Sequence, residues 1–158
     1  MKKGMVAVIS AVLGAIAGSV GQGYIKNKQI DERNKKVDKF KSYYNMLNQW
    51  LVIKQGGKSL AEYFIDNDIK TIAIYGMGEM GNRLLDELKD SEVEVKYGID
   101  KQADYTYADI DVVSPDEELD DVDAVVITAI FAFDEISEEL GRNVSCPIIS
   151  LEDVVYEL

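Results

Sequence analysis

The sequence has no histidine, one cysteine and two prolines among its 158 residues. Without histidine, neither the usual zinc sites nor catalytic triads with an imidazole base can form. Cys146 alone cannot make a disulfide within the chain. With 47% hydrophobic residues and no long polar low-complexity tract, the composition excludes a wholly disordered or collagen-like chain. The length suits one domain and an appendage.

Basic residues are scarce in the carboxyl-terminal part of the chain. Residues 59–158 contain 6 Lys/Arg against 26 Asp/Glu, whereas residues 1–58 contain 11 against 3. The formal net charge of −12 therefore combines a basic amino end with a strongly acidic remainder. Because nucleic acid is bound through a basic surface that neutralises phosphates, we exclude nucleic acid as a partner.

Residues 4–21 form an uncharged stretch just long enough to cross a bilayer as a helix. More lysines and arginines follow this stretch than precede it, so the positive-inside rule puts the carboxyl-terminal side in the cytoplasm. We expect residues 1–24 to be a single-pass anchor in the cytoplasmic membrane. Gly14 and Gly18 form a small-xxx-small pair through which two such helices could associate.

Two alternatives for the amino end stay open. Lys2 and Lys3, the apolar run and the Ala15-Ile16-Ala17 sequence also fit a cleaved signal peptide, although the basic residues that follow oppose export. A buried helix of a soluble protein is the other alternative.

Residues 25–57 are expected to form a basic amphipathic linker helix that ends at Gly56 and Gly57. One face carries apolar residues at alternating spacings of three and four, which are Val37, Phe40, Tyr44, Leu47 and Leu51. We expect this stripe to pack on the following domain with the help of Trp50. The alternative is a coiled coil with another chain, and the lysine-rich face could also rest on anionic lipid headgroups.

Residues 58–158 begin with a capping box, Ser59 to Glu62, that predicts a short helix. The β-branched run 71–75 predicts a strand, and it leads into a G-x-G-x-x-G sequence and a helical stretch, 82–90. In this motif Gly76 permits a tight turn, Gly78 lets a pyrophosphate approach the backbone, and Gly81 lets the helix pack closely on the strand. The helix amino end offers free amides and a positive dipole to a phosphate.

A second strand, 93–99, ends at Asp100, 19 residues after Gly81. A carboxylate at this place accepts hydrogen bonds from ribose hydroxyls and favours NAD over NADP. An ordinary polar strand end is the alternative. The predicted cofactor-binding residues are Gly76, Gly78, Glu79, Met80, Gly81 and Asp100.

The rest of the sequence completes a parallel α/β sheet. The chain reaches the strand at 112–113 within a dozen residues of Asp100, so the second crossover helix should be reduced or absent. Ser114 and Pro115 predict another short capped helix. Strands at 122–128 and 147–150, a loop at 129–133, and helices to Leu140 and from Leu151 follow. We expect a Rossmann-like sheet with strand order 3-2-1-4-5.

The segment from IAIYGMGEMGNRLLDELKDSEVEVKYGIDK to DVVSPDEELDDVDAVVIT resembles the nucleotide-binding domain of membrane-bound bacterial polysaccharide-biosynthesis proteins. These are the nucleoside-diphosphate-sugar epimerase/dehydratases and the undecaprenyl-phosphate sugar phosphotransferases, and it is also similar to the amino-terminal domain of sugar acetyltransferases of that pathway. The resemblance covers about residues 70–150. In those proteins a separate catalytic domain accompanies this one, and this chain has no counterpart of it.

No catalytic or metal-binding residue is predicted. Tyr97 and Lys101 have a Tyr-x-x-x-Lys spacing, but in a strand they lie about 13 Å apart. The acidic residues 116–121 are interpreted as a solvated surface. We expect a membrane-anchored accessory domain of surface polysaccharide biosynthesis that binds NAD or a nucleotide sugar, with a second copy or an assembly enzyme as partner. The alternatives are a degenerate protein-interaction module and a small NAD-dependent epimerase or dehydrogenase.

Overall fold

The computed structural model describes residues 30–158, so the predicted anchor at 1–24 lies outside the described residues. Within residues 30–158, no helix is both long enough and apolar enough to cross a membrane. The described residues divide between Tyr43 and Tyr44, and Tyr44–Leu158 is a compact unit that contains the whole sheet.

Helix α1 covers residues 30–55 and ends at Gly56 and Gly57, as predicted; Gly57 has a φ of 80°. The predicted packing of its apolar stripe on the domain is wrong. Met46, Trp50 and Ile53 lie on another face and are buried, whereas the stripe residues of the same unit, Tyr44, Leu47 and Leu51, are exposed. Two apolar faces compete on this helix, and the domain covers the one that carries the large indole of Trp50.

All five strands are parallel, and their order is β3-β2-β1-β4-β5, which confirms the predicted sheet. The pairing of β1 with β2 has one irregularity, between Ile72 and Ala73. The strands are β1 Thr71–Tyr75, β2 Glu94–Ile99, β3 Val112–Val113, β4 Ala124–Ile127 and β5 Ile148–Ser150.

Helices cover both faces of the sheet. They are α2 Ala61–Asp66, α3 Glu79–Leu88, α4 Phe133–Leu140 and α5 Leu151–Tyr156. Because side chains alternate along a strand, Ala73 and Tyr75 point towards α4, while Ile72 and Ile74 point to the opposite face. The sequence places the start of α3 at 82, but it begins three residues earlier, inside the glycine motif.

The Glu62 half of the predicted capping box forms, since Glu62 Oε1 accepts a hydrogen bond from the Ser59 amide at 3.1 Å; the Ser59 hydroxyl accepts instead from the Ala61 amide, at 3.3 Å. Glu87 of α3 joins this start of α2 to the end of α1. The Ser59 hydroxyl donates to Glu87 Oε1 at 2.9 Å, and Lys54 Nζ of α1 lies 2.9 Å from Glu87 Oε2. The Glu87 side chain is only 9% exposed, so one carboxylate holds the ends of three helices together.

The second crossover helix is reduced, as expected, to a single 3₁₀ turn at Ala103–Tyr105. The helix predicted after Ser114 is absent. Its capping interactions do form, because the Ser114 amide donates to Glu117 Oε1 at 2.8 Å, but only one turn follows. Since β4 begins at Ala124, the chain has too few residues to complete a helix and still return to the sheet.

Asp123 fastens the amino ends of β1 and β4. Its Oδ2 accepts hydrogen bonds from the Lys70 and Thr71 amides and from the Thr71 hydroxyl, at 2.8–3.0 Å. The Asp123 amide donates in return to the Thr71 carbonyl at 2.9 Å. The hydrogen bonds from Lys70 and Thr71 hold the pKa of Asp123 below its ordinary value.

We expect Asp123→Asn to lower the free energy of unfolding at neutral pH and to have little effect in acid. A carboxyl group with a depressed folded-state pKa stabilises the fold above its unfolded value of 3.8, and this stabilisation is lost as pH falls through the folded-state pKa. Urea unfolding at about pH 7 and about pH 3 measures the difference between variant and parent. Asp109→Asn, in an exposed loop, is the control. A difference that is the same at both pH values would contradict this role for Asp123.

Candidate functional site

The candidate site begins where β1 ends. Gly76 has a φ of 91°, a left-handed conformation that side chains other than that of glycine rarely adopt. A Cβ added here would lie 2.8 Å from Thr128 Oγ1. That hydroxyl donates to the Gly76 carbonyl at 2.6 Å, so the residue after β4 holds the turn after β1. Gly76 therefore performs the turn function that the motif predicts.

Met77 turns inward from the loop and is buried. It packs on Gly98 of β2, where an added Cβ would lie 2.5 Å from Met77 Cγ. Neither residue was singled out from the sequence. A glycine inside a strand is the signal that could have found this contact, because it marks a close approach of another group.

Gly78 stands at the amino end of α3, and its surroundings differ from those of the other two motif glycines. A Cβ added to it would meet no atom within 4 Å, and its φ is −73°. The space in front of this residue is therefore open, and its backbone does not require glycine. Because residue 78 has no side chain, the main chain at the start of α3 is uncovered.

Gly81 lies in the first turn of α3, against the end of β1. An added Cβ would fall inside the van der Waals envelope of the Gly76 carbonyl oxygen and 3.4 Å from Met77 Sδ. This is the close helix-to-strand packing that the motif predicts for its third glycine. Glu79 and Met80 complete the turn between Gly78 and Gly81 and supply its first helical amides.

Asp100 lies beside this loop, at the end of β2. Its Oδ2 accepts a hydrogen bond from the Met77 amide at 3.0 Å, and its Oδ1 accepts one from the Gln102 amide at 2.9 Å. The structure therefore brings the predicted ribose acceptor and the glycine loop together. It also gives Asp100 a second role, anchoring the loop, that the sequence did not indicate.

Asn82 is a further residue that sequence reasoning missed. From the first turn of α3 its Nδ2 donates to the carbonyls of Met77 and Gly78, at 3.1 and 3.0 Å. Two side chains thus hold Met77 in the loop. The Asp100 carboxylate accepts a hydrogen bond from its amide, and the Asn82 side-chain amide donates one to its carbonyl. These contacts fix the backbone without a ligand.

The charges that line the site are acidic. Glu79 and Asp100 belong to it, and the lysine next to Asp100 is engaged elsewhere, since Lys101 Nζ lies 3.0 Å from Glu139 Oε2. The hydrogen bond to Glu139 is the main cause of the raised pKa of Lys101. A bound phosphate would have to depend on backbone amides and on the positive end of the α3 dipole.

The residues that resemble catalytic groups have other partners. The Tyr97 hydroxyl donates to the Asp120 carbonyl, and burial raises its pKa to about 12. Burial also raises the pKa of the Cys146 thiol, which disfavours the nucleophilic thiolate. Within residues 30–158, no group of three or more acidic or cysteine side chains is arranged to hold a metal ion.

Comparison of the chain with protein-family models, with curated proteins and with solved structures yields no match. The class of the protein is therefore defined by its fold and its loop. It is a Rossmann-like α/β domain with a parallel sheet of order 3-2-1-4-5 and a glycine turn at the end of the central strand.

We expect Gly81→Ala and Gly78→Ala to separate in stability although both remove one glycine from the same loop. The first places a methyl group against the Gly76 carbonyl and should cost about 1–3 kcal/mol. The second meets open space and should change stability by less than about 1 kcal/mol. Thermal or urea unfolding of the two variants measures this, and equal stabilities would contradict the packing described for Gly81.

Proposed function

We propose that this domain binds a nucleotide, NAD or a nucleotide sugar, at the loop 76–81 and Asp100. We further propose that the chain is a membrane-anchored accessory component of surface polysaccharide biosynthesis, without a catalytic apparatus of its own. The observation that carries the nucleotide part is the opening at Gly78, in a loop whose other two glycines are tightly packed.

The open backbone at Gly78 suits a pyrophosphate. The first amides of a helix have no carbonyl partner within it, and here those amides belong to Glu79, Met80 and Gly81. They point in the direction from which an anion would approach and lie at the positive end of the α3 dipole. A side chain on residue 78 would block this approach. Packing does not require glycine at this position, so access to the backbone is the reason we propose for it.

The carboxylate of Asp100 suits the ribose. Each of its oxygens accepts one backbone hydrogen bond, from Met77 or Gln102, and each carboxylate oxygen can accept a second. Two acceptors held rigidly beside a phosphate site match the paired hydroxyls of a ribose. A 2′-phosphate would meet this negative charge, which favours NAD over NADP.

Room for the remainder of such a ligand lies along the same edge of the sheet. An open groove of about 520 Å³, lined by residues other than those of the loop, lies at the carboxyl ends of β4 and β5 and has the size of small-molecule sites. Its walls include the carboxylates of Asp134, Glu135, Glu152 and Asp153. Carboxylates accept hydrogen bonds from hydroxyl groups and repel phosphates, so this groove suits the sugar end of a ligand.

The support for the membrane anchor and for the biosynthetic pathway comes from the sequence. Residues 4–21 support the membrane location, and the resemblance of residues 70–150 supports polysaccharide biosynthesis. The partners of Tyr97 and Lys101 favour an accessory role over that of a small epimerase or dehydrogenase, because neither group is left as an acid or base beside the loop.

A protein-interaction module is the second candidate, and the contacts of Asp100 favour it. Because this carboxylate and Asn82 complete the loop without a ligand, the same residues would persist in a domain that had lost nucleotide binding. The acidic side chains around the loop are as compatible with a domain that binds only a protein partner as with one that binds a nucleotide.

We expect NAD or a uridine-diphosphate sugar to raise the unfolding temperature of the full chain in mild detergent, and we expect Gly78→Asp to abolish this shift. A ligand at about 100 times its dissociation constant stabilises by about 2.7 kcal/mol. Because residue 78 has open space around it, the aspartate should leave the fold intact while placing a negative charge where the phosphate would lie. NAD, NADP, coenzyme A and the sugar nucleotides are each tested at millimolar concentration.

Asn48→Asp, on the exposed surface of α1, adds the same charge away from the loop and serves as the control. A shift in the parent and control that is lost in Gly78→Asp supports nucleotide binding. A shift that persists in Gly78→Asp refutes the site. If no nucleotide stabilises the parent chain, the protein-interaction module becomes the better account.

A further inference from the structure

Helix α1 has an apolar surface that the sheet domain does not cover. In the unit Tyr44–Leu158, the side chains of Tyr44, Leu47 and Leu51 are 70%, 39% and 54% exposed. Met46 and Trp50, between them in sequence, are buried. The helix therefore has two apolar faces, and only one belongs to the core of its own domain.

The exposed face has the spacing of a coiled-coil seam. The same alternation of three and four residues continues in sequence to Phe40 and Val37, which are 73% and 62% exposed. We refer to these five positions, 37, 40, 44, 47 and 51, as the seam. They are the a and d positions of a heptad repeat, with no charged residue among them.

The narrowness of the seam distinguishes a helical partner from a lipid surface. An apolar stripe confined to a and d positions is typical of helix-to-helix pairing, whereas a helix that lies on a membrane or a broad surface has a wider apolar face. Lys41 and Asn48 border the seam on one side. On the other side Lys36 is followed by Tyr43, which is partly buried, and by Trp50, which the domain already covers. A second helix covers such a stripe while leaving these polar neighbours in water.

We propose that the seam pairs with the seam of a second copy of this chain. The aromatic side chains offer up to about 150–250 Å² each and the aliphatic ones less, so the exposed fractions leave at most roughly 600 Å² for each helix. With every seam side chain fully covered, two copies would bury up to about 1,200 Å², the lower limit for stable interfaces. A seam that is apolar at every position is complementary to itself, as a two-fold symmetric interface requires.

The residues at the two ends of the seam are consistent with a second copy of the chain as its partner. Arg33 and Lys54 take the next d positions on either side, so the apolar pairing surface stops where charge begins. Lys54 instead binds Glu87 of its own domain. The paired region is therefore confined to residues 37–51, about four turns of helix.

The test is the oligomeric state of the full chain in mild detergent, at about 0.15 M salt to screen Lys36 and Lys41. Sedimentation should give a dimer for the parent chain. Leu47→Glu and Tyr44→Glu should each raise the dimer dissociation constant about a hundredfold or more, because a charge would be buried in the seam. Asn45→Glu adds the same charge to an exposed position outside the seam and should leave the dimer intact.

A monomeric parent chain would overturn the proposal. So would a dimer that survives both seam variants while their unfolding temperature is unchanged, because association would then use another surface, such as residues 4–21. Oxidative cross-linking gives an independent measurement. Tyr44→Cys should form a disulfide-linked dimer and Asn45→Cys should not, each with Cys146 retained; equal cross-linking of the two would also refute the seam.

Discussion

The close approach of α3 to the end of β1 is the constraint on which the rest of the site depends. Gly81 allows the helix to touch the Gly76 carbonyl, and Gly76 allows the chain to turn sharply enough to start the helix there. In this geometry Met77 packs against both Gly98 and Gly81. The same geometry brings the Met77 amide within hydrogen-bond distance of Asp100. One packing contact thus fixes the turn, the helix start and the carboxylate.

The site is organised by backbone groups more than by charged side chains. Thr128, Asn82 and Asp100 each bind main-chain atoms of the loop, and the acidic surroundings offer a phosphate only amides and a helix dipole. A loop fixed in this way holds its conformation through hydrogen bonds made within the protein. The double use of Asp100, as loop anchor and as proposed ribose acceptor, follows from the same hydrogen bonding.

Helix α1 illustrates how a helix can serve two surfaces. Its sequence contains an apolar stripe of five residues and a shorter set around Trp50, and the stripe is the more conspicuous. The domain nonetheless buries Met46, Trp50 and Ile53. Periodicity indicates that a face is apolar, but it does not say which surface will cover it. The exposed stripe consequently lies outside the core of this domain.

The sequence by itself determined the parallel sheet, its strand order, the shortened crossover and the position of the glycine turn. These follow from local patterns: β-branched runs, capping residues, and the spacing from Gly81 to Asp100. Only the tertiary structure decided that Asp100 and Asn82 hold the loop, that Met77 packs on Gly98, and that the Ser114 turn forms no helix. The physical reason is the separation along the chain of the residues that interact. Propensity and periodicity act over a few neighbouring residues, whereas the contacts of Met77 with Asp100 and Gly98 join segments that meet only when β1, β2 and α3 pack together.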